Sequence, residues 1–213
     1  MSKIYIVRHG QSDANTHDLF CGFLDAHLTE LGKKQAKMTA NYMKNFKIDR
    51  IIASPLSRAH NTALTIAAEH SLAVDTNDGL KEINFGEWEG INTLEVDVRY
   101  NGAFTKWRTN PLETVCPGGE SFVEFYERAV NTLLEIAKAN AGRDVCLVSH
   151  GAWTKAILCY VKGKGPENFQ NIEYPANASV TTIEFDGNSF ALIEEGHWQH
   201  LEDDATWVSG NAK

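Results

Sequence analysis

The sequence predicts an α/β fold: a mostly parallel central sheet flanked by helices on both faces, with an antiparallel edge strand and a lid-like insertion at residues 91–119. Three observations carry this expectation. Short apolar runs alternate with longer segments of helical periodicity, the pattern of parallel strands joined by crossover helices. The runs at 3–7 and 145–148 read as buried strands. Near the end of the chain, 180–185 and 190–193 flank Asp186-Gly187-Asn188, a strong hairpin signal.

Taken in order, residues 3–7 form the first strand and run into Arg8-His9-Gly10. A polar loop with Asn15, Gly22 and Asp25 follows, and Thr29 caps a helix predicted to reach about Phe46. Arg50 to Ala53 is the second strand, and Pro55 starts the next helix, which carries Arg58, Ala59, Thr62, Ala63 and Ile66. An irregular region from Asp78 contains Glu82 and leads into the insertion, which ends in Pro117-Gly118-Gly119. From Glu120, apolar residues recur at helical spacing through Phe125, Ala129 and Leu133. The strand at 145–148 ends in Ser149-His150-Gly151, and a helix to about Val161 follows. Gly163-Lys164-Gly165 lacks the flanking residues of a nucleotide-binding loop and reads as a turn.

Composition bounds the function. The 213 residues suit a single α/β domain, 1–213, with a sizeable core. Net charge is −8 and no Lys/Arg run is long enough for a nucleic-acid or membrane patch, so neither partner is expected. A small anion can still bind in a locally basic pocket. Cys21, Cys116, Cys146 and Cys159 are scattered without metal-ligand spacing and read as free thiols. No stretch has the length of a signal peptide's apolar core or a membrane span, and a cytoplasmic location is expected.

The chemistry lies at strand ends. Arg8-His9-Gly10, Ser54 to Arg58 and Ser149-His150-Gly151 each follow a predicted strand, and ligands of open parallel sheets bind beyond the carboxyl ends of strands. Two His and two Arg gathered there suit a phosphate group. Guanidinium forks match its oxygens, and neutral imidazole attacks phosphorus near pH 7. Arg8, Arg58 and His150 would supply the charge that a metal supplies elsewhere, and no metal or cofactor is expected. Glu82, in the loop after the third strand, is the proton donor to the leaving oxygen.

These motifs resemble the histidine phosphatase superfamily, in the branch of cofactor-dependent phosphoglycerate mutases and related phosphatases. Arg8-His9-Gly10 with Asn15 matches its signature. Phe20-Cys21-Gly22, Asp25 and Leu28-Thr29-Glu30-Leu31-Gly32 match the next block, and Ser54-Pro55-Leu56-Ser57-Arg58-Ala59 with Thr62-Ala63 the second arginine block. Glu82 with Phe85-Gly86-Glu87-Trp88-Glu89-Gly90 matches the acid block; Gly118-Gly119-Glu120-Ser121 and Ser149-His150-Gly151 complete the set. The resemblance implies that His9 takes the phosphoryl group while Arg8, Arg58 and His150 hold its oxygens, assisted by Asn15 and the Gly151 backbone. Glu82 then serves as acid and base, and the 91–119 insertion roofs the cleft. Cys21 and Gly22 lie in the phosphate-facing loop, Cys21 as a contact and not as a catalytic thiol. Family phosphatases often carry a His-Leu pair near the C-terminus, so His200, before Leu201, is a further candidate for the pocket.

Hydrolysis is expected over phosphoglycerate mutation. The family's mutases typically carry a tyrosine three residues after the acid, where this chain has Phe85, and a lysine where it has Thr93. Their adjacent arginine pair is replaced by dispersed Arg99, Lys106 and Arg108. The substrate implied is a small phosphorylated metabolite; oligomeric state is open. His17, His27, His60 and His70 read as solvated or capping residues, Trp88 as packing, and Trp107 equally as packing or cleft lining.

Overall fold

The computed structural model describes residues 1–207. Six strands form one sheet in the order β3-β2-β4-β1-β5-β6. They are β1 (Ser2–Arg8), β2 (Arg50–Ala53), β3 (Val74–Thr76), β4 (Val145–Ser149), β5 (Val180–Phe185) and β6 (Phe190–His197). β3, β2, β4 and β1 are parallel; β5 runs antiparallel to β1 and pairs with β6. The expected antiparallel edge is therefore a whole hairpin. The third strand, for which the sequence offered no boundaries, is only three residues long and largely exposed.

The central strands explain the layered build. β4 is buried at all five positions, and β1 at all but Lys3. Ile4 and Ile6 of β1 face one apolar cluster, with Phe122, Phe125 and Trp153, while Tyr5 and Val7 face the other, with Met43, Ala59 and Ile66. Alternate side chains point to opposite faces, so a strand apolar on both must be covered on both.

Helices α1 (Asp13–Thr16), α2 (Glu30–Met43) and α3 (Ser57–His70) follow β1 and β2. Thr29 caps α2 as expected, accepting from the Gly32 amide. The helix stops at Met43, short of the predicted Phe46, because Phe46 turns in to pack on Tyr5 and Tyr42, with ring centroids 5.1 Å away from each. α4 (Thr93–Arg99) and α5 (Ala103–Thr109) occupy the insertion. Its Val96, Trp107 and Cys116 are buried in the same cluster as Phe20 and Phe85. Trp107 contacts the rings of Phe85, Phe122 and Phe169 and is a packing residue, as is Trp88. α6 (Phe122–Ala139) begins with a Ser121/Glu124 capping box, and α7 (Gly151–Val161) is buried from Gly151 through Cys159.

Candidate active site

The parallel register assembles the site. Arg8 pairs with Ser149 and Ala53 with Val148, so β1, β4 and β2 end level and release His9, His150 and Ser54 side by side. The His9 and His150 ring centroids lie 5.2 Å apart. Close approach behind them needs glycine. A Cβ on Gly10 would overlap the Gly32 carbonyl oxygen, so the loop after β1 can pass α2 only without a side chain.

His9 is 4% exposed, and its Nδ1 lies 2.7 Å from the Gly10 carbonyl. A carbonyl only accepts, so Nδ1 carries the hydrogen and Nε2 keeps its lone pair. Burial, then Arg58 and Arg8, hold the ring's pKa well below 6.5, so the imidazole is neutral at physiological pH. His150 is lowered in the same way, and its Nε2 lies 2.8 Å from Ser54 Oγ.

The two arginines come from different elements. Arg8 closes β1, donates from Nη1 to the Pro175 carbonyl at 2.6 Å, and has its pKa lowered by burial to about 10, so it stays charged. Arg58 sits in the first turn of α3 and donates to the carbonyls of Gly22 at 2.8 Å and Leu24 at 2.9 Å. The Cys21–Asp25 turn that offers these carbonyls is tied to α3 by the Ser57 amide, 2.7 Å from Asp25 Oδ1. Gly22 has φ +46°, and a Cβ there would overlap Glu89 Oε1. The Cys21 thiol donates to the Leu24 carbonyl at 3.4 Å, and its pKa is raised, chiefly by burial.

Glu82 meets the start of α7. Its Oε2 accepts from the Ala152 amide at 3.0 Å and Oε1 from the Trp153 amide at 3.1 Å. Burial raises its pKa, against the Ala152 N–H and Arg58 acting in the other direction. Asn15 Oδ1 takes bonds from the Ser12 amide and hydroxyl, both at 3.0 Å. Gly151 opens α7 where a Cβ would press on the Tyr174 ring at 3.0 Å and on Arg8 Nε at 3.3 Å.

Two nitrogens around the site are buried without a hydrogen-bond partner among the described residues: Arg8 Nε and His150 Nδ1. Buried polar groups are rarely left so, and both border His9. They suit an anion.

His200 is elsewhere. Its Nε2 lies 2.9 Å from Thr39 Oγ1, and its ring stacks on Tyr42 beside His197. The expectation that it reaches the pocket is corrected: the antiparallel β6 carries the chain back to α2, and the apolar face of Tyr42 takes the ring. Several residues around the site had no local signal in the sequence. Arg128 of α6 donates to the carbonyls of Gly79, Lys81 and Glu82 and pairs with Glu120 at 2.5 Å, fixing the Glu82 loop. Glu89 Oε1 accepts from the amides of Phe23 and Phe85. Lys155, 4.2 Å from the ring centroids of both Phe169 and Tyr174, backs the Tyr174 wall, and burial pushes its pKa down to about 8.

The comparisons agree with this geometry. A family model described as Histidine phosphatase superfamily (branch 1) matches residues 4–196. The chain is 36% identical over 193 residues to the putative phosphoserine phosphatase 2 of Hydrogenobacter thermophilus, covering 91% of this chain and 94% of the relative. It is 30% identical to a 2,3-bisphosphoglycerate-dependent phosphoglycerate mutase of Cytophaga hutchinsonii, over 84% of this chain and 85% of that one. Among solved structures, Bacillus stearothermophilus YhfR superposes with a TM-score of 0.91 at 27% identity, over 95% of this chain and all of that one. With its matched motifs gathered at one sheet edge and its whole fold shared, this chain belongs to the histidine phosphatase superfamily.

Proposed function

We propose that the protein hydrolyses small phosphomonoesters through a phosphohistidine intermediate on His9. The observation that carries this reading is a neutral imidazole with Nε2 free, bordered by two buried, unpartnered nitrogens, Arg8 Nε and His150 Nδ1. His9 Nε2 attacks phosphorus as the bond to the ester oxygen breaks. That electron pair goes to the leaving oxygen, which takes the proton of the Glu82 carboxyl. The Glu82 carboxylate then removes a proton from water, whose oxygen attacks phosphorus, and the N–P electron pair returns to Nε2. Arg8, Arg58 and His150 offset the charge that spreads over the phosphoryl oxygens, with the Asn15 amide and the Gly151 N–H as further donors. The Ser54 hydroxyl donating to His150 Nε2 would leave the ring's hydrogen on Nδ1, the donor that faces the anion.

Hydrolysis is favoured over mutation by Phe85. Its ring is buried against Phe20 and Trp107, so no hydroxyl stands at the mutase tyrosine's position to hold a second substrate group. Phosphoserine, in the name of the Hydrogenobacter relative, is the kind of small substrate we infer. The acidic net charge of −8 argues against nucleic-acid or membrane partners, and four free thiols suit a cytoplasmic location. No helix among the described residues is long and apolar enough to cross a membrane.

His9→Ala abolishes turnover, and alkaline quenching of the unmodified enzyme traps an acid-labile phosphoryl group on His9. Label on Ser, Asp or Cys instead overturns the mechanism. Because Arg8, Arg58 and His150 supply the positive charge, full activity is expected to survive exhaustive chelation; loss restored by one divalent ion contradicts that.

A further inference from the structure

We propose that Asn177 is the positioning residue of the nucleophile loop, and that Thr206 of the C-terminal segment sets its amide; this rests on the phosphohistidine reading above. Asn177 is fully buried beside His9. Its Nδ2 lies 3.2 Å from both the His9 carbonyl and Asn15 Oδ1. On the other side, its Oδ1 lies 3.2 Å from Thr206 Oγ1, and its backbone N–H donates to the Thr206 carbonyl at 2.8 Å.

The direction of this amide follows from its neighbours. The His9 carbonyl only accepts, and the Asn15 atom is the oxygen because the Ser12 backbone N–H donates to it. The group facing both must therefore be the Asn177 NH2. Asn15 Oδ1 is then engaged by three donors, and the Asn15 NH2 is left to point at a phosphoryl oxygen. The His9 carbonyl is held twice, since the Ala178 amide also donates to it at 3.1 Å. That fixes the peptide whose next carbonyl, Gly10, orients the His9 ring.

The anchor at the far end is built in the same manner. Thr206 Oγ1 accepts from Gln35 Nε2 at 2.9 Å and so has its hydrogen for Asn177. Gln35 is itself fully buried; it also donates to the Asp204 carbonyl at 2.7 Å and accepts from the Gln11 amide at 2.7 Å. Ala178 holds a left-handed φ of +59°, a conformation disfavoured for alanine, with its carbonyl bonded by Thr39 Oγ1 at 2.8 Å. A strained residue bonded on both sides, next to a saturated amide, is the build of a rigid support for the nucleophile.

Asn177→Asp keeps the shape but turns a carboxylate oxygen toward two acceptors. Rapid-quench labelling and steady-state kinetics on an aryl phosphomonoester test it, with the unmodified enzyme alongside. Expected are about a hundredfold slower phosphohistidine formation and kcat, with KM within about threefold. In an Asn15→Ala background the same change is expected to be less harmful, because one of the two contacts of the Asn177 NH2 is already gone and only the one to the His9 carbonyl is left to lose. Wild-type labelling rates in Asn177→Asp overturn the proposal, and equal losses in both backgrounds assign its whole effect to the His9 carbonyl, which supports it. Absence of His9 label in the unmodified enzyme overturns the phosphohistidine reading instead. If Asn177→Asp does not fold, Thr206→Val decides. A fall in kcat of about fivefold at constant KM, the rate equivalent of one hydrogen bond, supports the proposal, and unchanged kcat overturns it.

Discussion

In the proposed mechanism, one hydrogen bond decides which nitrogen of His9 attacks phosphorus. With Nδ1 committed to the Gly10 carbonyl, Nε2 is the only lone pair, and burial beside Arg8 and Arg58 keeps the ring unprotonated below its ordinary pKa of 6.5. The acid limb of the rate profile therefore lies well below 6.5. Glu82 must carry a proton to act as acid, and its pKa is raised, so the rate on alkyl phosphates falls only as pH rises through that raised value. Glu82→Gln removes the proton while keeping the shape. It is expected to slow alkyl phosphates about a thousandfold and aryl phosphates, which have better leaving groups, by less than about tenfold. Log kcat against pH for both ester classes checks this: the alkaline limb disappears in the variant, and equal losses on both esters remove Glu82 from the role.

At the scale of elements, the loop that carries Glu82, the proposed acid, is held from two sides. The amino end of α7 presents its free amides to the Glu82 carboxylate, and Arg128 of α6 binds the loop's carbonyls at Gly79, Lys81 and Glu82. Arg128→Met removes a donor from each of these carbonyls and from the Glu120 carboxylate, leaving Gly79 with Trp153 Nε1 and Glu120 with the Asn84 amide. The side chains of Arg128 and Glu120 keep some solvent exposure, so the loss belongs near the lower end of the range for broken buried pairs, about 3 kcal/mol, or about 6–12 °C in Tm. If Arg128 also positions the acid, kcat falls more for alkyl than for aryl phosphates. An unchanged ratio with a lowered Tm limits it to stability.

For the whole molecule, the buried histidines tie stability to pH. His9 and His150 have folded-state pKa values lowered by burial, and His200 is lowered to about 4 by burial and by His197. Below 6.5 the unfolded histidines bind protons that the folded ones refuse, so their contribution to stability falls on acidification and is level above 6.5. His9 and His150 each contribute about 1.4 kcal/mol per pH unit in that range. Glu82 has the opposite sign, since its raised pKa keeps a proton in the folded state above 4.5, but it is one group against three. Thermal melts at pH 7.5, 6.5 and 5.5 should show Tm dropping below 6.5, less steeply in His150→Gln. An equal slope in that variant removes His150 from the account.

What the sequence by itself determined is the set of features with short-range causes. Apolar runs ending in Arg8-His9-Gly10 and Ser149-His150-Gly151 mark strands that open onto a common edge, and Thr29 caps α2 through its own third amide. Arg58 and Glu82 were legible because their neighbours carry motif residues. The hairpin at Asp186-Gly187-Asn188 was legible because its turn chemistry is local. Only the tertiary structure decided the support of the site. Asn177, Gln35, Thr206 and Arg128 act on groups far away in the chain, and a lone polar residue has no periodicity or spacing by which to announce such a partner. His200 illustrates the converse. Its motif suggested the pocket, but the antiparallel course of β6 returned it to Thr39 and Tyr42, because strand direction is set by pairing with the rest of the sheet and not by the residues near the turn.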